Sequence, residues 1–267
     1  MPDLFPNLIT YVLCGLIMAG AQLIYATVGF GAGMFSIALL AMVLPDLAPA
    51  VVMLLILTFV TEVSVLLRSW RKARLRLLPG LLPTMVLGMW LGTKLLVVGD
   101  VTWLKHALGV VVLAAGAWFL YEERRGQTRP ETAPLPAVEP RPRARGAACW
   151  LSLPIGLASG VLGGLFGTGG PPVIVFLKGY RLDKSAFRAT LLWFFLLSSF
   201  IRAGSYLQAG ILTGNEVVAA VWLLPPSLFG MVLGMLAHRR MSERHFAAAV
   251  SVLLMLLGAL LTVGVGQ

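Results

Sequence analysis

Charged side chains are scarce in this sequence. Asp, Glu, Lys and Arg make up 12% of its 267 residues, where a soluble domain carries about 25%. A chain so poor in charge cannot cover a water-facing surface, which excludes a soluble enzyme. Cysteine is nearly absent too. Cys14 sits in an apolar run and Cys149 beside a basic stretch, so neither a disulfide nor a thiolate metal site is expected. The three histidines, His106, His238 and His245, fall at the ends of apolar blocks, leaving no metal pair and no Ser/His nucleophile at depth. Only Glu62, of 11 acidic residues, lies well inside a long apolar block, so no carboxylate pair exists for aspartyl-type hydrolysis. No catalytic residue, metal or cofactor is expected, and the chain reads as a non-enzyme. The alternation of a barrel strand is missing, as is the basic n-region of a signal peptide before residue 10.

What the sequence does have is apolar length. Apolar residues are 58% of the chain and the mean hydropathy is +0.89. They fall in blocks at 8–26, 35–44, 47–67, 77–98, 103–121, 150–166, 171–177, 185–206, 217–237 and 246–265. Several reach the roughly 20 residues needed to cross a hydrocarbon core, and a lipid-facing backbone must be helical if it is not a closed barrel. The expected fold is an all-α polytopic membrane protein. Residues 122–149 stand apart, with six Arg, four Glu and five Pro. Such a segment cannot bury enough surface to offset its ordering entropy, so it reads as a solvated linker between residues 1–121 and 150–267.

The two parts resemble each other. Phe30-Gly31-Ala32-Gly33 matches Phe166-Gly167-Thr168-Gly169, and Leu82-Pro83 followed by Gly88-Met89-Trp90-Leu91-Gly92 matches Leu224-Pro225 followed by Gly230-Met231-Val232-Leu233-Gly234. The formal charge of +10 is not a nucleic-acid signal, because the basic residues sit between apolar blocks as the positive-inside rule expects. Arg68, Arg71, Lys72, Arg74 and Arg76 follow the 47–67 block, whereas the equivalent 207–215 loop has no basic residue. Conversely, Arg239, Arg240 and Arg244 are concentrated where the first part, near 99–105, has one Lys and one Asp. A bias that flips between equivalent loops predicts two inverted-topology repeats. With the linker cytoplasmic, only Lys94, Lys105 and Arg202 of the 21 basic residues fall elsewhere, and both termini lie outside the cytoplasm. Each repeat is then a broken or re-entrant first helix plus three transmembrane helices, the recurrent design of secondary transporters.

The breaks carry the candidate site. Glycine admits positive φ and the close approach of a ligand. Pro171 suits the first turn of a helix, whose free N–H groups and dipole favour an anion. Gly29, Gly31 and Gly33 in the first break, and Gly167, Thr168, Gly169 and Gly170 in the second, are the candidate binding residues, with Thr27 and Ser36 adding hydroxyls. Packing is the commoner use of a membrane glycine; recurrence of the motif beside a half-length arm in both repeats favours binding. The motif is not a P-loop, since no Lys follows it. Arg202, with Ser198 one turn before it, is a candidate anion-attracting residue of an outer vestibule, or a cation reaching the interface. Glu62 is a proton-coupling candidate, or an interfacial carboxylate reaching the Arg68 cluster. Placed near opposite faces, Glu62 and Arg202 are not expected to meet. Lys94 is expected to snorkel.

These glycine-rich breaks, Gly29-Phe30-Gly31-Ala32-Gly33 and Phe166-Gly167-Thr168-Gly169-Gly170-Pro171-Pro172, together with the two-part layout and polar linker, resemble the sulfite exporter TauE/SafE family. Ala32 and Met34 interrupt the family's fuller glycine run in the first break. The resemblance implies a permease for a small sulfur-containing anion such as sulfite or an organosulfonate. The expected protein is an exporter in the cell (inner) membrane, working by alternating access as its halves rock. A passive anion channel on the same fold is the alternative. Its partners would be the anion, the bilayer and coupled protons, with no nucleic acid; the oligomeric state stays open.

Overall fold

The computed structural model describes residues 4, 5, 7–67, 70–127, 144–180, 182–240 and 243–264. Helices dominate, and the described residues include no strand. The first part holds α1 (Leu8–Val28), α2 (Ala32–Val43), α3 (Leu47–Leu66), α4 (Leu82–Val98) and α5 (Val101–Gln127). The second holds α6 (Ala144–Phe166), α7 (Gly170–Lys178), α8 (Lys184–Gln208), α9 (Gly214–Arg240) and α10 (Glu243–Thr262). Two 3-10 turns, Trp70–Lys72 and Leu75–Leu77, lie between α3 and α4. Both α5 and α6 extend into the segment expected to be linker, whose residues 128–143 lie outside the described residues.

Five helices are long and apolar enough to cross a membrane: Leu8–Thr27, Leu47–Leu66, Val101–Tyr121, Ser185–Gln208 and Gly214–Ala237. The protein is therefore multi-pass. At 17 residues, α4 reaches only ~26 Å, short of the full span expected of it. Large apolar side chains on α4 and α9, such as Leu87, Trp90, Phe229 and Leu236, face outward, as lipid requires.

Local chemistry sets the helix ends. Asn7 caps α1, its Oδ1 accepting from the Thr10 N–H at 2.8 Å, and Asp183 caps α8 by accepting from the Ala186 N–H at 3.1 Å. Pro83 stands in the first turn of α4, where its missing N–H costs nothing. Its counterpart Pro225 lies well inside α9, because α9 begins about three turns earlier relative to the shared motif.

The most extensive helix pairings cross between the two parts: α1 packs along α9, α4 along α6, and α5 along α10. If α1 corresponds to α6 and α4 to α9, as the sequence matches indicate, the first two pairs are the same contact with partners exchanged. Both are built on small residues. A Cβ on Gly88 would lie 2.9 Å from Val161 N, and one on Gly92 3.0 Å from Leu165 N. In the reciprocal pair, a Cβ on Gly234 would lie 2.5 Å from Leu23 O. Such backbone proximity is how membrane helices gain packing where hydrophobic burial gives no drive. The repeated Gly-x-x-x-Gly motif is thus a packing seam in both places.

In the middle, α3 and α8 run antiparallel. Phe59 meets Phe200 edge-on at 5.3 Å, while beyond the end of α3 the Trp193 indole N–H donates to Trp70 O at 3.4 Å and the Arg74 N–H donates to Thr190 Oγ1 at 2.8 Å. Lys72 Nζ donates to Ser185 Oγ at 3.4 Å. The basic 70–76 loop and the start of α8 therefore share one end of the bundle. The first two turns of α8 run past the end of α3 alongside this loop.

Candidate functional site

Each chain break is made by glycine in the left-handed region. After α1, Gly29 closes the helix with its N–H on Tyr25 O at 2.8 Å, and Gly31 at φ 90° starts α2. After α6, Gly167 at φ 68° turns the chain so that Thr168 N–H returns to Leu162 O at 3.2 Å. A side chain at Gly31 or Gly167 would be strained. The two breaks meet: a Cβ on Gly33 would lie 3.0 Å from Gly167 O and 3.2 Å from Thr168 Cγ2.

Where they meet, a cleft of about 520 Å³, counted to its open mouth, lies among α1, α2, α3, α7 and α8. Gly31, Gly33, Gly167, Thr168, Gly169 and Gly170 line it, as do Arg202 and Glu62. Three residues expected at the site do not line it. Thr27 donates instead to Leu23 O at 2.7 Å and Gly234 O at 3.2 Å, fastening α1 to α9. The Ser36 hydroxyl is turned back on Ala32 O at 2.8 Å and Gly33 O at 3.3 Å. Gly29 packs against the Arg188 side chain, whose Nη2 donates to Ala26 O at 2.8 Å and so caps the end of α1. A Ser or Thr in an apolar helix readily satisfies itself on the preceding turn, and sequence gives no sign of which ones do.

The expected separation of Glu62 from Arg202 is corrected. Glu62 is 3% and Arg202 5% exposed, and both reach the same cleft. Ser199 Oγ donates to Glu62 Oε2 at 2.8 Å and accepts from Arg202 Nη2 at 3.4 Å. Arg68, which the interfacial alternative for Glu62 invoked, lies outside the described residues. Glu62 is one turn from the end of α3, and that end abuts the middle of α8, so both charges are enclosed by protein. Lys94 lies outside the cleft and is exposed, with its ammonium 3.7 Å from the Trp90 ring centroid.

The helix starts differ as donors. Pro171 and Pro172 have no N–H, so the opening turn of α7 offers only Gly169 and Gly170, while Gly31 to Met34 all retain theirs at α2. The Ser159 hydroxyl donates to Gly169 O, fixing the second break to α6.

Sequence reasoning missed Tyr25, Phe195, Met34 and Ile174, which also line the cleft. Only Tyr25 carried a signal, as a hydroxyl in an apolar span two residues before Thr27. Ser199, rather than Ser198, is the residue bonded to Arg202, although both line the cleft. Two buried polar atoms here have no hydrogen-bond partner, Thr168 Oγ1 and Arg202 Nε, while the Tyr25 hydroxyl is turned toward Glu62. Orphaned polar atoms are rare in folded proteins, and two facing one cleft mark a place for a polar ligand.

The family described as Sulfite exporter TauE/SafE matches residues 13–261, nearly the whole chain. The chain belongs to the TauE/SafE sulfite exporter family. No curated protein and no solved structure matches it. In this TauE/SafE member the match includes both glycine breaks, Glu62 and Arg202, so the whole cleft lies in the family's shared region. A family of membrane transporters agrees with the five apolar spans. Among the described residues, no group of three His, Cys, Asp or Glu could hold a metal ion.

Proposed function

We propose that this protein is a secondary transporter of the cell membrane that exports a small sulfur-containing anion, sulfite or an organosulfonate, by alternating access. The observation that carries the reading is the convergence of unpartnered Arg202 Nε and Thr168 Oγ1, with the Tyr25 hydroxyl beside them, on the cleft between the breaks. Arg202 supplies a fork of donors suited to an oxyanion. Thr168 and Tyr25 add hydroxyls, and the N–H groups at the starts of α2 and α7 add dipole. Gly31, Gly33, Gly167, Gly169 and Gly170 let the backbone approach the anion. Phe195, Met34 and Ile174 supply an apolar wall. The sulfur chemistry itself rests on family membership.

Two inverted repeats are part of this proposal. Support comes from the exchanged pairs α1–α9 and α4–α6 and from the flip of basic charge between equivalent loops. The exchange alters the expected motion, however. Rocking the two sequence halves apart would tear the glycine seams. The rigid units are the cross-paired helices, and the mobile parts are α2, α7 and the α3–α8 pair around the cleft.

The test is uptake into proteoliposomes of sulfite, methanesulfonate, sulfate and acetate. Saturable uptake with counterflow, favouring the sulfur monoanions, is expected; ohmic current without counterflow would instead favour a channel. No flux of any of the four would overturn the reading. For topology, cysteine labelling should place 70–76 and 207–215 on opposite faces, with the linker cytoplasmic and both termini outside.

A further inference from the structure

Glu62 has no role in holding an anion, and a carboxylate beside an anion site would oppose binding. Its surroundings suggest what it does. Ser199 stands between it and Arg202, and the one hydroxyl proton of Ser199 is committed to Glu62 Oε2 at 2.8 Å. Arg202 Nη2 donates to Ser199 Oγ from the other side at 3.4 Å. When Glu62 is ionised, its countercharge in this arrangement is the guanidinium that the proposed anion requires. The other groups facing Glu62 do not replace that charge. From α1 comes Tyr25, a neutral phenol that hydrogen-bonds Glu62 without supplying charge; α2 and α7 bring no titratable group to the cleft, and Arg188, lower on α8, is engaged with Ala26 O.

We infer that Glu62 is a proton site loaded together with the anion, with Ser199 the hydroxyl that links the two. This rests on the anion site proposed above. When an anion takes the Arg202 fork, Glu62 loses its countercharge and gains a like charge nearby, so it takes one proton from water at the mouth of the cleft. The new carboxyl O–H then donates to Ser199 Oγ, whose own proton turns toward the anion. Release runs in reverse: the anion leaves, the proton returns to water on the opposite side, and the Glu62–Ser199–Arg202 chain re-forms. One proton accompanies each anion. With a monoanion the loaded cleft carries no extra charge, so the crossing step is electroneutral. Net direction then follows the combined anion and proton gradients, and export proceeds when the anion accumulates inside.

The experiment uses the full chain in proteoliposomes with methanesulfonate, which stays ionised near neutral pH, so any proton moved belongs to the protein. Sulfite is the second probe. Proton movement is followed with an entrapped pH dye and anion movement with isotope. For wild type we expect about one proton per methanesulfonate, uptake driven by a pH gradient, and no response to an imposed potential. Glu62→Gln should lower the ratio to near zero and make any remaining flux follow the potential. Ser199→Ala should lower the ratio, and Ser199→Thr should restore it. A wild-type ratio near zero, or potential-driven wild-type uptake, would overturn the coupling while leaving the anion site standing. Failure of wild type to exchange either probe would overturn the anion site and the coupling with it. If Glu62→Gln does not fold, the wild-type ratio alone decides.

Discussion

The α4–α6 seam should be intolerant of a single methyl group. A Cβ on Gly88 would overlap Leu157 O, lie 2.9 Å from Val161 N and sit 3.1 Å from Gly160 Cα. Ordinary contact begins near 3.4 Å. Every crowding atom is backbone, so no side chain can swing away, and the helices must part by roughly 1 Å. A gap of that size forfeits about a quarter to a half of each dispersion well of about 0.1–0.2 kcal/mol, and a seam of about 50 atom pairs thereby loses about 1–5 kcal/mol. Measured overpacking penalties fall in the same range, about 1–3 kcal/mol. Lipid offers no hydrophobic compensation. Gly88→Ala, purified in mild detergent, should therefore melt roughly 4–10 °C below wild type, and Gly234→Ala in the α1–α9 seam should behave alike. Gly204→Ala is the control, because nothing lies within 4 Å of its Cβ position. Gly160→Ala combined with Gly88→Ala should cost less than the two separately, since the first substitution makes room for the second. Wild-type melting of both Gly88→Ala and Gly234→Ala would refute the close-packed seams.

At the cleft, Thr168→Val should raise KM about tenfold, the worth of roughly one hydrogen bond of about 1.4 kcal/mol. It should leave thermal stability intact, because Thr168 Oγ1 bonds nothing in the protein; a clear loss of stability would make that hydroxyl structural. Arg202→Lys should lose at least tenfold in flux and Arg202→Ala nearly all of it, since an ammonium does not reproduce the guanidinium fork. Full activity in either would remove Arg202 from the site. Gly167→Val places a branched residue at φ 68° with its Cβ 3.0 Å from Arg202 Nη1, and in Gly169→Val the Cβ meets Ser159 O at 2.5 Å. Both should insert into the membrane yet carry no anion, as read by protease-resistant yield and flux together.

Much of the fold was legible because the bilayer restricts the options. Apolar blocks of membrane length had to be helices, and the breaks at 29–31 and 167–169 were marked by glycine, the residue that positive φ demands. Their site role was partly legible for the same reason: Gly31, Gly33 and Gly167–Gly170 are where the chain leaves its helices. The hydroxyls were not. Thr27, Ser36 and Thr168 are alike in sequence, but the first two face a carbonyl within reach and the third does not. The meeting of Glu62 with Arg202 was misread because counting residues along α3 and α8 separately assumes that the two helices start and end at the same levels.

The sequence by itself determined a multi-pass helical protein with a duplicated pattern, two glycine breaks and one buried acid, since composition and period are enough for lipid to select helices. The tertiary structure decided which of these meet. Helix stagger puts the end of α3 against the middle of α8, and the seams cross between the two parts of the chain. Side-chain contacts between residues 137 positions apart depend on that stagger, which no local pattern encodes, and they alone unite Glu62, Ser199 and Arg202 at one cleft.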